Sequence, residues 1–378
     1  MPCMGFEHDL CIRGAGIVGR TLALLAARER LHVALVAPAG LPDAPADVRA
    51  YALSPASQAL LQTLRCWPPG NATTPVLAMQ VQADQQGRLR FSAAEQEVSA
   101  LNWIVDVPAL EHQLAEAVSY QSAIDTVQAP VAAPLTVVCE GRASVTRAEL
   151  GIEFDTVRYP QHALATRLTC ERAHGQVARQ WFTAEGDVLA LLPLGGATGH
   201  EVALVWSLAA ARAVEARHWD DAQLAARVHE ISGGALGTLQ VQGARASWPL
   251  LLARARRWVG AMAGATGASF ALAGDAAHAM HPLAGQGLNM GLGDAAELAR
   301  VLAARESWRS LADLRLLRRY ERARQGEWLR MRLATDGLQL LFGHPAPLAQ
   351  GLRNWGMTLF DHCGPLKRRA AAHAMGTA

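Results

Sequence analysis

Two periods of apolar spacing alternate along this chain, and each change of period marks an element. Asp9 to Arg13 is a short apolar strand, Gly14-Ala15-Gly16-Ile17-Val18-Gly19 breaks it, a helical pattern runs to about Arg30, and His32 to Val36 is a second strand. Val48 to Ser54 opens a helix that Ser54 caps. Val76 to Phe91 alternates around a turn at Asp84 to Gly87, as a hairpin does. Val105 to Leu110 leads into a helix through Val118, with Pro108 in its first turn. Leu135 to Cys139 is a strand ending in Glu140-Gly141-Arg142-Ala143-Ser144. From Gly151 to about Trp258 the pattern turns to β. Strands are expected at Gln161–Cys170, Gln176–Phe182, Val188–Leu192, Glu201–Ser207 and Ala246–Leu250, with one helix at Asp220–Ile231. Phe270 to Ala273 is a last apolar strand. Leu288, Leu292, Ala295, Ala299 and Leu302 then share one face of a helix from about Asn289. A final helix carries Leu316, Tyr320, Trp328, Met331 and Leu338 as an apolar stripe between arginines at 315, 318, 319, 322, 324, 330 and 332, which read as a solvated basic face or a surface for anionic lipid or a protein partner.

Composition narrows the picture. With 378 residues the chain is long enough for about two domains. A hydrophobic content of 51% against 18% charged places it among globular proteins, and a formal charge of +2 gives no reason to expect nucleic acid. The six cysteines (3, 11, 66, 139, 170 and 363) form no CxxC pair, as expected of small core residues in a reduced, cytoplasmic chain. No signal peptide is expected ahead of the first strand, and Trp258 to Gly274 is too rich in Gly and Ala to read as a membrane span.

The chemistry lies in two glycine turns. Strand, GxGxxG, helix and strand form a dinucleotide fingerprint. In it Gly14 permits the tight turn, Gly16 the approach of a pyrophosphate, and Gly19 close helix–strand packing. Far downstream, Gly274-Asp275 ends the Phe270 strand. Asp275 suits ribityl or ribose hydroxyls, and the amides of Gly285, Gln286, Gly287, Leu288 and Asn289 suit a phosphate or an electron-rich ring at a helix N-terminus. The acidic residue expected after the second strand is replaced by Ala37-Pro38, and Asp43 is a weak substitute. His278 and His281 lack a third ligand, so no metal is expected. No Ser/His/Asp set or carboxylate pair offers catalysis by side chains alone.

GDAAHAMHPLAGQGLNMGLGDA, from Gly274 to Ala295, resembles the second flavin motif of the flavin-dependent aromatic monooxygenases, most closely their ubiquinone-biosynthesis hydroxylases. Arg49-x-x-Ala-Leu-Ser resembles a segment whose arginine lies beside the flavin phosphates. The stretch through Leu110 resembles one that meets the flavin from the sheet side. Glu140-Gly141-x-x-Ser resembles the family's Asp-Gly-x-x-Ser motif, which touches flavin and pyridine nucleotide, with Glu in place of Asp. Tyr159, Trp181, Phe182, Pro193-Leu194 and Gly351 to Lys367 also match. The linker from Tyr120 to Pro134 is shorter than in relatives and reads as a trimmed loop.

The resemblance implies an α/β fold: a Rossmann-like FAD-binding domain, an inserted β-sheet substrate domain and a helical C-terminus. The expected boundaries are 1–75, 104–155 and 260–345 for FAD, 76–103 and 156–259 for substrate, and 346–378 for the tail. It implies bound FAD, reduction by NAD(P)H, and a C4a-hydroperoxide formed with O2 that hydroxylates an aromatic ring, with Pro282 facing the flavin. The substrate expected is a polyprenylated phenol of ubiquinone synthesis. Hydroxylation of a small soluble aromatic, or a non-catalytic flavin-binding or assembly subunit, are the alternatives. A ubiquinone-biosynthesis complex or contact with the inner face of the membrane is an expected partner.

Overall fold

The computed structural model describes residues 6–37, 47–82, 88–196, 199–280 and 287–343, with side chains to 333. The chain opens with β1 (Leu10–Arg13), α1 (Ile17–Arg28), β2 (Val33–Val36), β3 (Ala50–Leu53) and α2 (Pro55–Thr63). β4 (Thr73–Val76), β5 (Ala78–Gln82), β6 (Arg88–Ser92), β7 (Asn102–Asp106), α3 (Val107–Ser119), β8 (Ile124–Val127) and β9 (Leu135–Val138) follow. Next come α4 (Val145–Glu149), β10 (Phe154–Cys170), β11 (Val177–Phe182), β12 (Val188–Leu194), β13 (Glu201–Ala209), α5 (Ala210–Ala216) and α6 (Asp221–Ser232). β14 (Leu239–Ala255), β15 (Val259–Ala261), β16 (Ser269–Leu272), β17 (His278–Ala279), α7 (Gly287–Ala303) and α8 (Leu314–Gly343) complete it.

A six-stranded sheet runs β15-β16-β9-β1-β2-β8, parallel except at its β15 edge. Its central strands are apolar but for Arg13 and Thr136, and every residue in them but Arg13 is buried, as expected of parallel strands covered by helices on both faces. Helices α1, α3, α7 and α8 share its core. The linker from Tyr120 to Pro134 is therefore not a plain trimmed loop, because it holds β8, paired in parallel with β2. Only Ile124 of β8 is fully buried, so the strand left little trace in the apolar pattern.

An eight-stranded sheet, β17-β14-β10-β13-β12-β11-β5-β6, makes the second layer, and β3-β7-β4 a small third one. Its strands β10 and β14 reach 17 residues each, well beyond the expected Gln161–Cys170 and Ala246–Leu250. The polar start of β10 is held by its ladder to Leu251–Ala255, not by burial, and a register shift at Arg158/His162 interrupts the alternation. Leu204, Trp206 and Leu208 of β13 face α5 and α6, whereas Ala203 faces the other way, toward Val76 and Ile104. Trp181 lies in the α5–α6 core and not on the inner face. From the inner face Arg167 reaches Asp106, the residue before α3, at 2.8 Å.

Helix α8 buries Leu316, Tyr320 and Trp328 and exposes Arg315, Arg318, Arg319, Arg322 and Arg330. Arg324 departs from the expected solvated face: it is 5% exposed and turned into the protein. The side chain of Leu338 lies outside the described residues. Among the described residues no helix is long and apolar enough to cross a membrane.

Candidate cofactor site

The first glycine turn is fixed by what it leaves out. Gly14 has φ +109°, and a Cβ there would stand 2.5 Å from the Cys139 carbonyl oxygen. A Cβ on Gly19 would lie 1.9 Å from the Gly14 oxygen, so α1 can pack this close only with glycine. Gly16 is different: a Cβ there meets nothing within 4 Å. It precedes α1 with extended backbone and no side-chain cap, and the first turn carries no acid, so amides from Ile17 onward are available to an anion. Ala15 is half-buried and Ile17 buried. Val18 joins this turn to the distant one, since Cβ atoms on Gly291 and Gly274 would sit 2.7 and 3.3 Å from its Cγ2.

The second turn begins at Gly274, φ +62°, and tightens into a 3-10 turn over Gly274–Ala276. Asp275 stands exposed to solvent yet ringed by protein, and among the described residues no donor bonds its carboxylate. Desolvation by that ring pushes its pKa up, against the pull of His278, Arg142 and Arg49. Behind the turn the Asp294 carboxylate is saturated, while His278 Nδ1 is buried without a partner. Asp294, fully buried on α7, accepts from the Gly274 amide (2.8 Å), His278 Nε2 (2.7 Å) and Arg324 Nε (2.6 Å). Burial pushes the Asp294 carboxyl up, but His278 and Arg324 outweigh it and hold it below the usual carboxylate range.

The middle motif closes the third side. Glu140 accepts from Ser144 Oγ (2.7 Å) and the Thr146 amide (3.0 Å), bonds Thr146 Oγ1, and lies 3.1 Å from Arg13 Nε. Glu140 thus braces the first turn of α4, a helix absent from the sequence reading and capped by Ser144, while Gly141 (φ +76°) leaves open space above it. Arg147 ties this loop to the second turn by donating to the carbonyls of Arg142 (2.8 Å) and Ala276 (3.1 Å).

Arg49 approaches from β3 with its guanidinium held by Asp47 at 2.9 Å and over the Tyr51 ring at 5.8 Å. Asn289 anchors the start of α7: its Oδ1 accepts from the Ser54 amide (2.9 Å) and Ser57 Oγ (2.7 Å), and its Nδ2 donates to Ala52 O (2.8 Å). Gly287 and Leu288 are half-buried beside it. Leu110 is 1% exposed inside the α3 core and presents no surface to a ligand in this arrangement. Ala37 donates its amide to Val127 O at 2.9 Å. Asp43, His281, Pro282, Gly285 and Gln286 lie outside the described residues.

Residues 14–19, 49, 140–142, 274–275 and 287–289 thus converge, whereas a cavity of about 530 Å³ between β13 and α5–α6 shares none of them. Sequence reasoning missed Arg147, Asp294 and Arg324. The available signal was a carboxylate at 294 among Met290, Gly291, Ala295 and Leu298, all on a buried face. Open space above Gly16, Gly141 and Gly287, an acid-free helix start and an unbonded Asp275 fit a dinucleotide with hydroxyls near one end.

Comparison with known proteins agrees. Residues 12–328 match the model of a family described as FAD binding domain. Ubiquinone hydroxylase UbiL of Rhodospirillum rubrum is 33% identical, over 98% of this chain and 90% of that protein. The 3-demethoxyubiquinol 3-hydroxylase of Escherichia coli is 29% identical, over 97% and 98%. Among solved structures, p-nitrophenol 4-monooxygenase PnpA from Pseudomonas putida superposes with a TM-score of 0.74 at 16% identity, covering 97% of this chain and 98% of that one, which establishes a shared fold.

Proposed function

This chain belongs to the FAD-binding-domain family, and on that premise we propose that it is an FAD-dependent monooxygenase hydroxylating the ring of a prenylated phenol in ubiquinone biosynthesis, with NAD(P)H and O2 as co-substrates. The observation that carries the reading is the exposed, unbonded Asp275 next to Gly274, which packs on Val18 of the helix start left open at Gly16. Hydroxyls at one end of a ligand and a pyrophosphate at the other would satisfy both. Two relatives named for hydroxylation of ubiquinone intermediates, matched over nine-tenths or more of their length, supply the substrate class.

FAD, when bound, would supply the redox chemistry joining NAD(P)H oxidation to O2. The rest falls to the chain. Amides of the Gly14-Ala15-Gly16-Ile17-Val18-Gly19 turn would hold the pyrophosphate, and Asp275, beside Gly274, would accept the ribityl hydroxyls. Arg49, already oriented by Asp47, would add positive charge beside the phosphates. Glu140 and Gly141 would border the flavin, and Leu110 would support the site from the α3 core. Pro282, Gly285 and Gln286, with the amides of Gly287, Leu288 and Asn289, would face the ring. The inner face of the eight-stranded sheet would position the phenol and exclude water.

We assign 1–75, 104–155 and 260–345 to the FAD-binding domain, 76–103 and 156–259 to the substrate domain, and 346–378 to a tail. The site of action is the cytoplasm, where a prenylated substrate draws the enzyme to the inner face of the membrane. Glu140 gives no support to a non-catalytic role, since its longer side chain bonds the first turn of α4 and pairs with Arg13. The test is NAD(P)H oxidation with prenylated and tail-less phenols, with product analysis. Hydroxylated product, faster with the tail, is expected. FAD binding without hydroxylation of any phenol or quinone precursor would defeat the reading, and equal rates without the tail would point to a small soluble aromatic.

A further inference from the structure

We propose that Arg324 of α8 is a positioning residue for the flavin site: through Asp294 it fixes the Gly274 turn that presents Asp275, so that docking of α8 and binding of FAD are coupled. The inference rests on the FAD reading above.

Asp294, His278 and Arg324 are 0%, 1% and 5% exposed, so none is placed to touch a ligand in front of the turn. Their geometry points backward. One oxygen of Asp294 accepts from both the Gly274 amide and His278, and the other accepts Arg324 Nε. Arg324 Nη2 donates to the Met290 carbonyl at 3.0 Å, and Nη1 meets Glu327. A Cβ on Gly293 would come 2.9 Å from the guanidinium, so the fork fits closely against α7.

A second set of contacts runs in parallel. His278 stacks on Trp258, with centroids 5.0 Å apart and planes at 28°, and Trp258 packs beside Tyr320 of α8 at 6.5 Å. Tyr320 donates to Leu272 O at 2.8 Å, on the strand that feeds the turn. Helix α8 therefore holds both the strand entering the turn and the carboxylate behind it.

Only a planar, multi-donor cation reaches Asp294 and Met290 O together. Without it, Asp294 keeps a buried charge without its guanidinium, and the Gly274 amide loses its fixed acceptor. Binding energy spent on ordering the turn would then come out of FAD affinity. Coupling must be reciprocal, so FAD must in turn stabilise the docking of α8.

The experiment titrates FAD into apoprotein of the wild type, Arg324→Lys, Arg324→Met and Leu224→Ala, the last in the separate α5–α6 core. Urea unfolding is measured on each, and amide exchange over 314–333 is followed with and without FAD. The expected results are slower α8 exchange in wild type with FAD, and FAD binding weakened about tenfold or more in both Arg324 variants. Leu224→Ala should lose stability yet bind FAD as wild type does. Wild-type FAD affinity in Arg324→Lys, equal weakening in Leu224→Ala, or α8 exchange indifferent to FAD would each overturn the inference. If Arg324→Met does not fold, Arg324→Lys and the wild-type exchange decide. A wild type that takes up no FAD would sink the cofactor reading and this inference with it, a result distinct from the others.

Discussion

The Gly274 turn has a front and a back, each with its own aspartate. On the back, Asp294 is fully buried, every oxygen is bonded, and His278 and Arg324 hold the carboxyl below the ordinary range. On the front, Asp275 is exposed, unbonded among the described residues, and pushed up by the protein around it. One stabilises the fold and the other is left unsatisfied. A group kept at a disadvantage until something binds it marks the working face of the site.

Breaking the back should have the largest effect. Asp294→Ala takes from Arg324 and His278 the carboxylate they share in a dry site, at a cost of about 3–5 kcal/mol, to be read by urea unfolding. The sign with pH follows from the lowered carboxyl. The stability Asp294 contributes is fully present above its unfolded-chain pKa and is lost as pH falls through the lower folded value, so the wild type should lose its margin over Asp294→Ala in acid.

Gly19→Ala comes next. Its Cβ would meet the Gly14 oxygen at 1.9 Å, and the shift of α1 should cost about 1–3 kcal/mol in the same assay. On the front the sign reverses. Asp275 has a raised pKa, so its effect on stability is absent below the unfolded value, and stability falls as pH rises through the folded one. At neutral pH Asp275→Asn should therefore leave the apoprotein no less stable while weakening FAD about tenfold by fluorescence titration, roughly 1.4 kcal/mol. Smallest of all, Arg300→Ala removes an exposed pair with Glu297 and should change unfolding by about 0.5 kcal/mol or less. If Asp275→Asn destabilised the apoprotein as Asp294→Ala does, the distinction between the two faces would collapse.

The same contrast explains what was legible. Gly14, Gly16 and Gly19 stand at fixed spacing between an apolar strand and a helix, although the contact that requires Gly14 is with distant Cys139, and Asp275 ends an apolar strand, so local pattern exposes them. The back of the turn joins residues 274, 278, 294 and 324, four short clues spread over 50 positions, and no local window contains it. Arg324 sits among exposed arginines and looks like one of them until α7 is placed against it. Strand β8 and the first half of β10 were hidden for another reason: hydrogen-bonded ladders hold them, with little apolar burial to mark them. The structural partners of Glu140, Arg13 and Thr146, come from either side of its motif, so the motif alone does not reveal them.

The most direct test is the visible absorption spectrum of the purified wild type, before and after FAD is added and excess removed. The account predicts retained flavin bands shifted from those of free FAD, at one flavin per chain, and weaker retention in Asp275→Asn. A wild type that keeps no flavin even after saturation, while remaining folded, would contradict it.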